Sequence, residues 1–117
     1  MGPDRGPQKP DADDDRPRRE RRLGELVAAG VVIEDPATTH VADEVEIEAG
    51  ARLRPFTMLE GRTSVARGAE IGPFVRLVDV AVGPGARVVD HCLLQECVVD
   101  REANVWPITD ERPHRRL

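Results

Sequence analysis

Val41-Ala-Asp-Glu-Val-Glu-Ile47-Glu-Ala-Gly-Ala-Arg-Leu53-Arg-Pro-Phe-Thr-Met-Leu59-Glu-Gly-Arg-Thr-Ser-Val65-Ala-Arg-Gly-Ala-Glu-Ile71-Gly-Pro-Phe-Val-Arg-Leu77 returns an aliphatic residue at every sixth position. A helix repeats its apolar face about every 3.6 residues and a half-buried strand about every two. A period of six is neither. It predicts a solenoid in which each unit is one short strand and one sharp corner. Three units close a triangular coil of about eighteen residues, and coils stack at the parallel-strand spacing of ~4.8 Å.

The series runs on through Val82, Val88, Leu94, Val99 and Val105 if two units, Leu77-Val-Asp-Val-Ala81 and Leu94-Gln-Glu-Cys-Val98, are one residue short. Those units begin 17 residues apart, one shortened coil, so both deletions fall on the same side of the prism. Four coils are predicted, at about 41–58, 59–76, 77–93 and 94–110. The fourth residue after each aliphatic is small or β-branched: Val45, Ala51, Thr57, Thr63, Ala69, Val75, Ala81, Ala86, Cys92, Val98, Ala103 and Thr109. These are expected to point inward beside the aliphatics. Gly50, Gly68 and Gly85 fall three residues after an aliphatic, and Pro55, Pro73 and Pro84 two after, where corners need special φ values.

Upstream, Leu23, Leu26 and Val27 share one helical face, Pro17 suits a first helical turn, and Gly30 suits a C-terminal stop. A short amphipathic helix is predicted over 17–29, capping the first coil through those three aliphatics. Residues 1–16 hold three prolines, two glycines and the run Asp13-Asp14-Asp15 before Arg16, and read as a disordered charged arm. The solenoid is assigned to 31–110, with Trp106, Pro107 and Ile108 expected to close its far end, and 111–117 to a charged tail. The fold class is therefore all-β: a single-stranded parallel β-helix with a short N-terminal capping helix.

The chain has 117 residues and a formal charge of −5, unevenly spread. Residues 1–22 are net +1, residues 23–110 net −8 and residues 111–117 net +2. An acidic body repels phosphate-rich partners. With no Tyr, one Trp and two Phe, there is no base-stacking platform, so nucleic acid is not an expected partner. No apolar run approaches ~18 residues, and no secretory h-region is visible, so no membrane is expected and a cytoplasmic location is. Two cysteines five positions apart make neither a disulfide framework nor a four-ligand zinc site.

The stretch Ala28-Ala-Gly-Val-Val-Ile-Glu-Asp-Pro-Ala-Thr-Thr-His-Val41 is more specific than the hexads. It resembles the junction in the bifunctional N-acetylglucosamine-1-phosphate uridyltransferase/glucosamine-1-phosphate N-acetyltransferase family, where a short helix leads into a β-helix. Asp43-Glu-Val-Glu-Ile47, Leu59-Glu-Gly61, Ile71-Gly-Pro73 and Val88-Val-Asp-His91 resemble that family's first coils, so the likeness covers about 23–105. The resemblance implies a left-handed solenoid, three prisms packed side by side, and a place in UDP-N-acetylglucosamine synthesis. The family's Gly-rich nucleotide loop, its sugar-phosphate Arg and Lys, its catalytic His and its acetyl-CoA coils have no counterpart among these residues. No catalytic, cofactor-binding or metal-binding residue is carried over, and no cofactor is expected.

His91 is the tempting general base, but it occupies a corner of an early coil that does not match the family's catalytic position, and a structural or surface role is expected. His40, at a family Tyr position, is read as structural, and His114 lies in the tail. A zinc enzyme of the γ-class carbonic anhydrase type needs three His ligands, and His40 and His91 are expected about three coils apart. Cys92 is read as a core filler and Cys97 as a thiol near a corner. Glu60, Glu70, Glu96 and Glu102 are read as a solvated corner surface. Four coils bury little surface, so flat walls and a marginal monomer lead to an expected homotrimer. The chain is expected to be an assembly module, without turnover of its own, that docks to a separately encoded nucleotidyltransferase or acetyltransferase. The alternative is a transferase of the same pathway that works only with a partner chain.

Overall fold

A computed structural model describes residues 16–106, 109–110 and 115–117. The expected arm and the first part of the tail (111–114) lie outside the described residues, as do Pro107 and Ile108. Among the described residues one helix, α1 (Arg16–Ala28), precedes a parallel β-solenoid with three faces of five strands each. Face A stacks β1 (Val32–Ile33), β4 (Arg52–Leu53), β7 (Glu70–Ile71), β10 (Arg87–Val88) and β13 (Asn104–Val105). Face B stacks β2 (Thr39–Val41), β5 (Thr57–Glu60), β8 (Val75–Val78), β11 (Cys92–Gln95) and β14 (Thr109–Asp110). Face C stacks β3 (Glu46–Ile47), β6 (Ser64–Val65), β9 (Ala81–Val82), β12 (Cys97–Val99) and β15 (Arg115–Arg116).

The aliphatic series forms three columns. Val41, Leu59, Leu77 and Leu94 are paired rung to rung on face B. Ile47, Val65, Val82 and Val99 pair on face C. Ile33, Leu53, Ile71, Val88 and Val105 pair on face A. Leu53, Leu59, Ile71, Leu77 and Leu94 have no exposed surface. Both short units lie at the turn from face B to face C, stacked on each other, so the prism is narrowed on one edge only.

The inward small residues depart from the expected phase in those two units. Val80 and Cys97 are buried, Ala81 is exposed and Val98 is only partly covered. Within a strand, side chains alternate sides. The inward small residue is therefore the one two positions before the next aliphatic. In full units this coincides with four after the previous one. In short units the residue is lost from the corner, so only the count from the following aliphatic holds.

Polar residues in the small column are satisfied locally. The Thr57 hydroxyl donates to the Arg54 carbonyl (2.7 Å) and the Thr63 hydroxyl to the Glu60 carbonyl (2.8 Å).

The helix ends in a Schellman motif: the Gly30 amide donates to Val27 and the Val31 amide to Leu26, each at 3.0 Å, with Gly30 at φ +106. Leu23 and Leu26 are buried, but Val27 is 50% exposed, correcting the expected three-residue contact. The stripe that meets the coil is narrower than the apolar pattern.

The chain after the helix adds a strand at Val32–Ile33, before the first expected coil. The longer corner that follows is a single 3-10 turn, Pro36–Thr38. Asp35 caps it, its carboxylate accepting from the Ala37 amide (3.2 Å) and the Thr38 hydroxyl (3.0 Å).

At the far end, Arg115–Arg116 pair with Cys97 and Val98, and the Leu117 amide donates to the Val98 carbonyl (2.6 Å). Part of the expected tail thus forms the fifth strand of face C. Trp106, expected to close that end, is 68% exposed.

Candidate functional site

The edge between faces A and B carries the most distinctive chemistry. Phe56, Phe74 and His91 each fall three residues after a face A aliphatic, so the 18-residue coil and its 17-residue successor place them directly above one another. Phe56 and Phe74 are stacked at 4.9 Å between centroids and 4° between planes, and Phe74 and His91 at 4.9 Å and 11°. All three have left-handed backbones, φ +59, +58 and +57. For bulky side chains that region is sterically disfavoured, by about 1–2 kcal/mol each. The Phe56 amide is held by the Thr38 hydroxyl (3.0 Å), which ties this edge to the Asp35 turn.

His91 is exposed, with Nδ1 3.3 Å from an Asp90 carboxylate oxygen. Its neighbour Cys92 faces the other way: Sγ lies 3.1 Å from the Val89 carbonyl and 3.0 Å from the Trp106 carbonyl, inside the prism. The left-handed corner at His91 leaves the imidazole outside the prism while the thiol of Cys92, the first strand residue, turns into it. Cys97 is buried on face C, not at a corner. His40 lies on face B three strand steps from the His91 rung, about 14 Å at the parallel spacing. His114 lies outside the described residues. Among the described residues no group of three or more His, Cys, Asp or Glu is placed to hold a metal ion.

The two faces that meet at this edge differ. Face A carries a ladder of ion pairs: Glu34 with Arg52 (2.8 Å), Arg54 with Glu70 (3.1 Å) and Glu70 with Arg87 (3.4 Å). Face B presents the column His40, Met58, Arg76, Leu93 and, beside it, Glu60, Val78, Gln95. Arg76 pairs with Glu60 at 2.9 Å. Of the acids read as a solvated corner surface, Glu60 and Glu70 instead sit on faces in these pairs, while Glu96 and Glu102 are exposed at corners with left-handed φ.

The basic helix start is partly engaged. Arg18 approaches Asp43 (3.8 Å), and Arg22 donates to the Val45 carbonyl, beside an open groove of about 660 Å³ bordered by Asp43, Glu44, Glu46 and Arg62. The charges there are of both signs. No described helix is long and apolar enough to cross a membrane.

Sequence reasoning read Pro55, Pro73 and their neighbours as turn residues and missed the aromatic stack. The signal was present: Phe56, Phe74 and His91 occupy the same phase as Gly50, Gly68 and Gly85 on the next edge.

No protein-family model matches the chain. Among curated proteins it is 44% identical over 88 residues to the bifunctional protein GlmU of Bifidobacterium animalis subsp. lactis, covering 75% of this chain and 19% of that protein. It is 40% identical over 98 residues to the bifunctional protein GlmU of Streptomyces avermitilis (84% and 20%) and 38% over 90 residues to that of Thermotoga petrophila (76% and 20%). The chain thus spans about a fifth of the length of the curated relatives it matches.

Proposed function

This chain belongs to the family of the bifunctional GlmU proteins through the segment it shares with them, and we propose that it acts as that family's β-helix assembly module rather than as an enzyme by itself. In this reading it is a cytoplasmic homotrimer, and it docks to a separately encoded nucleotidyltransferase or acetyltransferase half of amino-sugar nucleotide synthesis. The observation that carries the reading is the A/B edge, where aromatic side chains are kept both exposed and in a disfavoured backbone region. Such side chains gain from being covered by another chain. The residue types that offer catalysis are committed elsewhere: His91 to the stack and Cys92 to the core.

The test is turnover by the pure protein with glucosamine 1-phosphate and acetyl-CoA, and separately with N-acetylglucosamine 1-phosphate and UTP. No turnover is expected, and clear turnover in either assay overturns the proposal. A second reading, a transferase active only with a partner chain, is favoured by the identity to bifunctional proteins. It requires activity to appear when the endogenous complex, isolated gently, is assayed in place of the pure chain.

A further inference from the structure

Arginines on the solenoid are matched by acids. Arg52, Arg54, Arg62, Arg67, Arg76 and Arg87 each have a carboxylate oxygen within 4.0 Å. Helix α1 departs from this pattern. Arg18 lies 3.8 Å from Asp43, but among the described residues no acid pairs with Arg19 or Arg22, both of them partly buried.

Arg18 and Arg22 are four residues apart and Arg19 and Arg22 three, so the three side chains share one side of the helix, where like charges repel. With His40 at the base of face B and Asp43 beyond it, they line a cleft of about 200 Å³ between α1 and the first coil. Arg22 is held in place. One Nη donates to the Val45 carbonyl, while Nε is buried with no hydrogen-bond partner. A guanidinium fixed and partly desolvated in this way is unfavourable until an opposite charge meets it.

We infer that this cleft binds a small ligand through a phosphate group.

Charge selects phosphate. Three arginines against one aspartate, with histidine counted as neutral, leave the cleft at a formal +2. A phosphate monoester carries about −1.5 to −2 near pH 7. A single carboxylate would offset only half of the excess. Arginine's planar fork also meets phosphate oxygens two at a time, which fixes the ligand's orientation as well as its charge.

Size and surroundings select a small ligand. Pockets for drug-sized molecules run from about 300 to 1,000 Å³. A cleft of about 200 Å³ admits a phosphate group and a small organic part. A nucleic-acid strand is disfavoured on two counts. Residues 23–110 are net −8 and repel a polyanion, and among the described residues no Phe or Trp lines the cleft to stack on a base. All the groups of the cleft come from one chain, so binding does not require the assembly proposed above.

The experiment is calorimetric titration of the full chain, and of variants checked by circular dichroism, with inorganic phosphate and with glycerol 3-phosphate at low ionic strength. Wild type is expected to bind one ligand per chain saturably. Arg19→Gln is expected to weaken binding by about tenfold or more. Asp43→Asn removes the opposing acid and is expected to tighten binding. A disturbed fold would not give that gain, so this variant keeps the test open if Arg19→Gln does not fold. Arg101→Gln, at an exposed corner away from the cleft, is expected to bind as wild type does. Tighter binding of glycerol 3-phosphate assigns the site to a phosphate monoester, and equal or weaker binding assigns it to inorganic phosphate. Binding that Arg101→Gln weakens as much as Arg19→Gln does, or that Asp43→Asn weakens, overturns the proposal. A wild type that binds neither ligand overturns it too. Should the full chain carrying Asp13→Asn, Asp14→Asn and Asp15→Asn then bind, the acids that precede Arg16 are the occupant instead.

Discussion

The amide of Val31 donates to the carbonyl of Leu26 across 3.0 Å, and the side chains of both residues are buried. This one link turns the chain from helix to first strand and fastens the cap to the solenoid. It depends on Gly30, whose φ of +106 suits glycine and where an added Cβ would lie 2.9 Å from the Ala49 Cβ. Gly30→Ala is expected to destabilise the protein by about 1–2 kcal/mol in denaturant unfolding. Gly24, inside the same helix, has open space around it. Gly24→Ala is expected to stabilise by about 0.5–1 kcal/mol. Equal effects of the two substitutions would remove the Schellman stop from the account.

The rung register predicts a sharp contrast on adjacent strands. Ile71 has no exposed surface in the middle of face A, so Ile71→Asp buries an unpaired charge and is expected to abolish folding, a loss above about 4 kcal/mol. The Arg76 side chain is half exposed and meets Glu60 across 2.9 Å. Arg76→Asp is expected to cost fold stability no more than about 1 kcal/mol. Similar damage from both, read by circular dichroism and thermal melting, contradicts the register.

Phase in the short units is separately testable. Val80→Ala removes two buried methyl groups and is expected to lower stability by about 1–2.5 kcal/mol. Ala81→Ser, at an exposed position, should stay within about 0.5 kcal/mol of wild type. The reverse order would restore the count of four after Leu77.

Salt distinguishes the ladder of face A from its core. Glu70 lies between Arg54 and Arg87, with side chains about a third to a half exposed. Glu70→Gln is expected to cost up to about 1 kcal/mol at low ionic strength. The difference from wild type should shrink in high salt, because exposed charges are screened. A difference that salt leaves unchanged points to a packing role for Glu70.

Much of the molecule was legible from residue order. The six-residue aliphatic period assigns every rung from Val41 to Val105, because one large inward residue per strand, with a small one two positions before it, is all that a narrow prism accommodates. Gly30 was legible as a stop because few residues tolerate its backbone. The strand at Val32–Ile33 was hidden because the following corner is longer than the others and breaks the period. The strand at Arg115–Arg116 was hidden because its residues are charged, and backbone pairing on an outer rung does not require apolar side chains. Val27 belongs to the apolar face of the helix by spacing, yet the solenoid end is too narrow to cover it.

By itself the sequence determined the β-solenoid, its columns and the side on which both deletions fall, since these follow from periodicity alone. Only the tertiary structure decided which small residues turn inward at the shortened corners, because alternation within a strand is counted from the strand and not from the previous unit. It also decided that Phe56, Phe74 and His91 form one continuous stack. Each lies 17 or 18 residues from the next in the chain, and only the stacking of successive coils brings the centroids of neighbouring rings to 4.9 Å.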